Sequence, residues 1–127
     1  MSSQTSTVIW VSDHRLFLDS NNIINVSPSG NVDAKTAPLI KEAFLKLIAD
    51  ADGPVNILAD LNKAGKPSVE ARRVANEIFH REEVKKVAFF GLHPVARVIA
   101  SFIKAIVNKK EISFFKTREE ALNWLKG

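Results

Sequence analysis

Two short stretches constrain this chain more than any other feature. Val55-Asn56-Ile57-Leu58-Ala59-Asp60-Leu61 and Val87-Ala88-Phe89-Phe90-Gly91-Leu92 are apolar at both odd and even positions, and turn-rich residues bound them. Runs this short, rich in β-branched and aromatic residues, read as strands. A strand apolar on both faces must be covered on both, so each belongs inside a sheet flanked by helices. Helical patterns between the strands imply crossovers and hence parallel pairing.

The remaining elements follow from periodicity and punctuation. Thr7–Ser12, Arg15–Leu18 and Ile23–Val26 are predicted as three short strands forming an antiparallel edge, and Ser27–Asn31 is expected to break the sheet. A first helix is expected from about Asp33, as N-cap, to Ile48, with Ala37, Ile40, Phe44, Leu47 and Ile48 on one apolar stripe. The stretch Asn62–Pro67 reads as a loop. Ser68 then caps a helix to about Arg81 that buries Ala71, Val74, Ala75, Ile78 and Phe79. Pro94 suits the first turn of a third helix, reaching about Asn108. Ile112–Phe115 forms a last strand, and Thr117-Arg118-Glu119-Glu120 is a capping-box pattern opening a terminal helix. The expectation is an α/β domain spanning 7–127 behind a disordered tail at 1–6, with a mixed central sheet of five or six strands and four helices.

Composition removes several functional classes. There is no cysteine, so disulfides, thiolate metal sites and cysteine nucleophiles are excluded, which fits a cytoplasmic location. His14, His80 and His93 are scattered and make no metal-ligand pair, and the five glycines form neither a dinucleotide fingerprint nor a P-loop. No cofactor or metal is expected. Residues 1–60 carry 4 Lys/Arg against 7 Asp/Glu, whereas 61–127 carry 14 against 7. The cations of the basic half are interleaved with glutamates, so they read as a solvated surface rather than a nucleic-acid stripe. No apolar run is long enough to span a membrane.

Gly30-Asn31-Val32-Asp33-Ala34-Lys35-Thr36-Ala37, leading into an amphipathic helix, resembles the corresponding stretch of STAS domains. Further along come Asp60-Leu61 ending a strand, Val87–Gly91, the apolar helix from Pro94, and Phe114-Phe115-Lys116-Thr117-Arg118-Glu119-Glu120-Ala121-Leu122-Asn123-Trp124-Leu125. With these, residues 20–126 resemble the SpoIIAA-like (STAS/SEC14) family of small bacterial proteins. The resemblance implies a STAS-like fold, and the missing catalytic motifs imply no catalytic duty. The resemblance also implies either phospho-regulated partner binding or capture of a small apolar or lipid-like ligand. In the anti-sigma antagonists a serine at the start of the helix after the central strand is phosphorylated. Counted from Asp60-Leu61, that position falls here on Val69, and Ser68 stands one residue earlier.

Three places are candidates for function. Ser68 is expected as a helix cap, with phosphorylation beside Lys66 the alternative. The loops after the two interior strands would bring Asp60, Lys63, Lys66, Ser68, His93 and Arg97 into one crevice, the usual ligand position in open α/β sheets. Helix-capping roles for Asp60 and His93 are the alternative. The helix from Pro94 has polar residues only at Arg97, Ser101, Lys104 and Asn108. Its apolar flank, Val95, Ile99, Phe102, Ile103 and Ile106, is expected to be covered within the chain or to meet a second copy in a homodimer. An apolar ligand or peripheral membrane contact is the third option. The leading expectation is a binding or regulatory module for a protein partner; a carrier of a small apolar ligand is second, and a small enzyme third.

Overall fold

The computed structural model describes residues 8–94, 96–98, 101, 105 and 111–127. Strands β1 (Val8–Val11), β2 (His14–Leu18) and β3 (Ile23–Ser27) form an antiparallel meander. A short strand β4 (Gly30–Val32) follows, then helix α1 (Ala37–Asp50), β5 (Val55–Asp60), β6 (Ala64–Pro67), α2 (Val69–Phe79) and β7 (Val84–Phe90). A third helix, α3, is present at Pro94, Ala96, Arg97, Val98, Ser101 and Ala105. Strand β8 (Glu111–Phe115) and helix α4 (Arg118–Lys126) complete the chain.

The main sheet has the order β1-β2-β3-β5-β7-β8, parallel from β3 onward. Both two-faced strands, β5 and β7, are therefore interior, as their composition requires. Each crossover from β3 to β5, β5 to β7 and β7 to β8 advances in the same direction. Right-handed connections then place all three crossover helices on one face. The core agrees. Ile40, Phe44 and Leu47 of α1, Val74 and Ile78 of α2, and Ala96 of α3 share one buried cluster with Leu16, Ile24, Ile57 and Phe89. On the opposite face α4 alone packs Ala121 and Leu125 against Ile23, Leu58, Ala88 and Phe90. The two clusters take alternate residues of the same strands, the period-two consequence of the pleat.

Local chemistry sets the helix ends. The capping box of α4 is formed, with Thr117 Oγ1 accepting from Glu120 N and Glu120 Oε1 accepting from Thr117 N. Trp124 of α4 lies 5.6 Å from Phe115, ring to ring, and the Lys86 ammonium sits 5.1 Å over the indole.

Two expectations are corrected. Helix α1 starts at Ala37, not near Asp33. The Asp33 carboxylate accepts the Thr36 N–H at 2.8 Å and so caps a turn that precedes the helix; this contact with Thr36 holds its pKa below the ordinary aspartate value. The segments read as a break (Ser27–Asn31) and a loop (Asn62–Pro67) each contain all or part of a short strand. Gly30–Val32 and Ala64–Pro67 pair in parallel as a separate two-stranded sheet. Neither has an alternating apolar pattern; only single residues such as Val32 and Ala64 pack against the core. Its close fit requires Gly65, where a Cβ would run into Asn31.

The tail expected at 1–6 lies outside the described residues, as do Val95, Ile99, Phe102, Ile103 and Ile106. Among the described residues no helix is long and apolar enough to cross a membrane.

Candidate functional site

The carboxyl ends of β5 and β7 are joined by one side chain. Asn62 lies just past β5, and both its backbone N–H and its Nδ2 donate to Asp60 Oδ1, at 3.0 and 2.9 Å. Asn62 Oδ1 in turn accepts the Leu92 N–H at 3.0 Å. Asp60 therefore orients Asn62, and Asn62 clips the loop after β5 to the loop after β7. Beside the clip, Gly91 lets α3 approach closely, since a Cβ there would sit 2.9 Å from the Ala96 methyl carbon.

Lys63 and Lys66 lie on the other side of this junction, in and before β6. The Lys63 carbonyl accepts from Gly30 N, and the Lys66 N–H donates to Asn31 Oδ1 at 2.8 Å. Ser68 is tied twice. Its N–H donates to the Val32 carbonyl, and its hydroxyl accepts the Ala71 N–H at 3.0 Å as the cap of α2. His93 is exposed on the turn into α3, with its carbonyl accepting from Ala96 N. Arg97 is exposed on α3 and lines a shallow apolar hollow with Val98, Ser101 and Ala105. The structure thus places the loops carrying Asp60 and His93 side by side, while Lys66 and Ser68 belong to the β6–α2 lead. The exposed parts of this end of the molecule are not only charged: Leu92 is 73% exposed, and Val69, the first residue of α2, is 49% exposed.

Asp60 and Lys63 also border a groove of about 370 Å³ that sequence reasoning missed. Its other walls are Trp10, Asp13 and Arg15 from the β1–β2 hairpin, Ser27 at the end of β3, and Pro28 and Ser29 after it. These residues lie far from Asp60 in sequence, and only the pairing of β3 with β5 brings them near. A lone exposed tryptophan in a strand pattern was the one available signal. Arg15 is held with its guanidinium carbon 4.6 Å over the Phe17 ring. His14 is buried, and its Nδ1 accepts the Ser29 N–H at 3.1 Å, which pins the turn that forms one wall.

A different space lies inside the helix-covered half. Ile40 and Phe44 of α1, Val74 and Phe79 of α2, and Ala59 and Phe89 of the sheet line a partly open cavity of about 110 Å³. The β4–β6 pair, through Val32, Ala64 and Pro67, forms its rim. Phe79 and Phe89 meet edge to face at 6.0 Å on its wall. The lining side chains are apolar throughout, so the cavity offers no partner to a water molecule and suits a hydrocarbon-like group. Among the described residues no group of three His, Asp or Glu is placed to hold a metal ion.

Comparison with known proteins places this architecture. The SpoIIAA-like family model matches residues 23–126. A Shewanella loihica protein of the DUF3478 family, described as having a SpoIIAA-like fold, superposes with a TM-score of 0.65 at 18% identity, covering 98% of each chain. The unphosphorylated anti-sigma factor antagonist SpoIIAA gives a TM-score of 0.65 at 13% identity, over 90% of this chain and 98% of that one. An anti-sigma factor antagonist from Mycobacterium paratuberculosis gives 0.60 at 18% identity, over 97% and 94%. No curated protein matches the sequence. At these identities the structural likeness establishes the fold.

Proposed function

The chain belongs to the SpoIIAA-like family, and we propose that it is a non-catalytic cytoplasmic module that docks a protein partner at the clipped end of β5 and β7. The observation that carries this reading is the exposure of Leu92, on the loop after β7, and of Val69, at the start of α2. Contiguous exposed apolar patches mark interaction surfaces. Lys63, Lys66 and Arg97 lie within a few residues of these positions in sequence, so the apolar side chains are accompanied by cations. That combination suits a partner with an apolar anchor and acidic surroundings. The likeness to two proteins described as anti-sigma factor antagonists supports a regulatory role.

Ser68 enters this reading as the cap of α2. A phosphate there would stand beside Lys66 at a helix N-terminus, a favourable electrostatic position. Val69, at the position the anti-sigma antagonists phosphorylate, has no hydroxyl. Phosphopeptide mapping of protein from its own cells decides whether Ser68 is modified.

The docking proposal is tested by a photo-reactive residue at position 92, with a control at position 82 on the opposite end. Cross-linking in the source cells is expected to trap one protein from position 92 and none from 82. Equal capture at both, or none at either, defeats the proposal.

A second reading, carriage of a small apolar ligand, is favoured specifically by the cavity between α1, α2 and the sheet. Native mass spectrometry of gently purified protein would show the adduct; a bare mass in every preparation counts against it.

A further inference from the structure

The two edges of the main sheet are protected unequally. β8 opens at Glu111, directly after Lys109 and Lys110 in sequence, and charges of this kind discourage a foreign strand. β1 reads Val8-Ile9-Trp10-Val11, and the first charged side chain of the protein is Asp13, beyond it. Among the described residues no strand pairs with the outer side of β1. Ile9 and Val11 face the core shared with α1. Val8 and Trp10 face the other way and remain 38% and 62% exposed.

The ladder decides which backbone groups are free. Val11 and His14 flank the two-residue turn Ser12-Asp13, which makes them a bonded pair, and bonded pairs alternate along an antiparallel ladder. Val8 and Trp10 consequently direct their N–H and C=O groups away from β2. The residues with exposed side chains are also those with outward backbone groups.

We propose that β1 pairs antiparallel with β1 of a second copy about a two-fold axis passing beside Ile9, joining two sheets edge to edge. In this register Val8 of each copy stands opposite Trp10 of the other, forming two bonded pairs. Both side chains that are exposed in one copy become covered, and no charged residue of β1 meets its twin because there is none. The contact is isologous and uses the whole edge, so it closes at two copies rather than growing.

The interface is small. The exposed part of Trp10 contributes roughly 100–150 Å² per copy, which leaves the total well below the ~1,200 Å² of stable complexes. Association is therefore weak and concentration-dependent.

Sedimentation equilibrium from low micromolar to about millimolar protein, with tryptophan emission recorded in parallel, tests the proposal in the range a contact this small implies. The weight-average mass is expected to rise towards twofold while the emission shifts to the blue. Trp10→Lys is expected to keep the single-chain mass throughout. Leu39→Lys, which alters an exposed apolar residue on α1, is expected to behave as the parent. Far-ultraviolet circular dichroism establishes that Trp10→Lys is folded, and Val8→Lys replaces it if it is not. A parent mass that stays constant, or that climbs past two copies, overturns the proposal. So does a lysine variant of β1 that still doubles, or loss of doubling in Leu39→Lys.

Discussion

Filling the interior cavity with protein is the sharpest test of the space described between α1, α2 and the sheet. Ala59 is buried in β5 between Val26 and Phe89, all three on the cavity wall. Ala59→Val adds two carbons and suits a strand, where β-branched side chains pack well. Two buried carbons at ~0.8 kcal/mol each contribute about 1.6 kcal/mol before strain. Strain from small-to-large changes subtracts part of that, so a net gain of about 1 kcal/mol is expected. For a chain of this length the midpoint of thermal unfolding should rise by roughly 3–5 °C. Urea denaturation at unchanged m-value gives the free energy directly. The same variant should abolish the xenon-dependent chemical-shift changes that an apolar, dry cavity produces in the parent protein. A loss of 1 kcal/mol or more in Ala59→Val, or equal xenon response in both proteins, would refute the reasoning. It would mean that the wall is already closely packed at Ala59.

Further predictions follow from the hydrogen bonds. Ser68→Ala removes the hydroxyl that accepts the Ala71 N–H and should cost about 1 kcal/mol in chemical denaturation, while Ser68→Asp should restore most of it. Asn62→Ala unlocks the loops after β5 and β7. It is expected to destabilise by roughly 1–2 kcal/mol and to shift the Leu92 amide resonance more than any amide in α4. For Asp33, whose folded-state pKa is lowered chiefly by the Thr36 contact, the sign is that of a depressed carboxylate. Its contribution is fully present above the unfolded aspartate pKa and is lost as pH falls through the lower folded value. Asp33→Asn should therefore reduce the steepness of the acid limb in a plot of melting midpoint against pH.

The fold was largely legible because its main elements obey strong periodicities. Val55–Asp60 and Val87–Phe90 could only be interior strands, and the stripe from Ala37 to Ile48 could only be a buried helix face. The small parallel sheet was not legible. Gly30–Val32 and Ala64–Pro67 pair through backbone groups while their side chains satisfy no alternation, so nothing in residue type distinguishes them from loops. The start of α1 was misplaced for a related reason: Asp33 makes the capping bond expected of it, but to a turn rather than to the helix. The loops carrying Asp60 and His93 could be anticipated as neighbours from strand order. Asn62, which joins them, could not, because an asparagine after a strand is ordinary turn chemistry. Trp10, Asp13 and Arg15 were beyond reach, since a hairpin carries no mark of which distant strand end it will face.

The β4–β6 pair also bears on how the protein opens. It binds the lead into α1 to the lead into α2 through Gly30, Asn31 and Val32 on one side and Lys63, Lys66 and Ser68 on the other. Its residues are few, none of them is buried, and they are separate from the main ladder. Such a unit exchanges its amide hydrogens as one cooperative subunit, at a lower free energy than the strands beneath it. The amides of Gly30, Lys66 and Ser68 should then report a single opening rate, and that rate would set how quickly anything enters or leaves the space below.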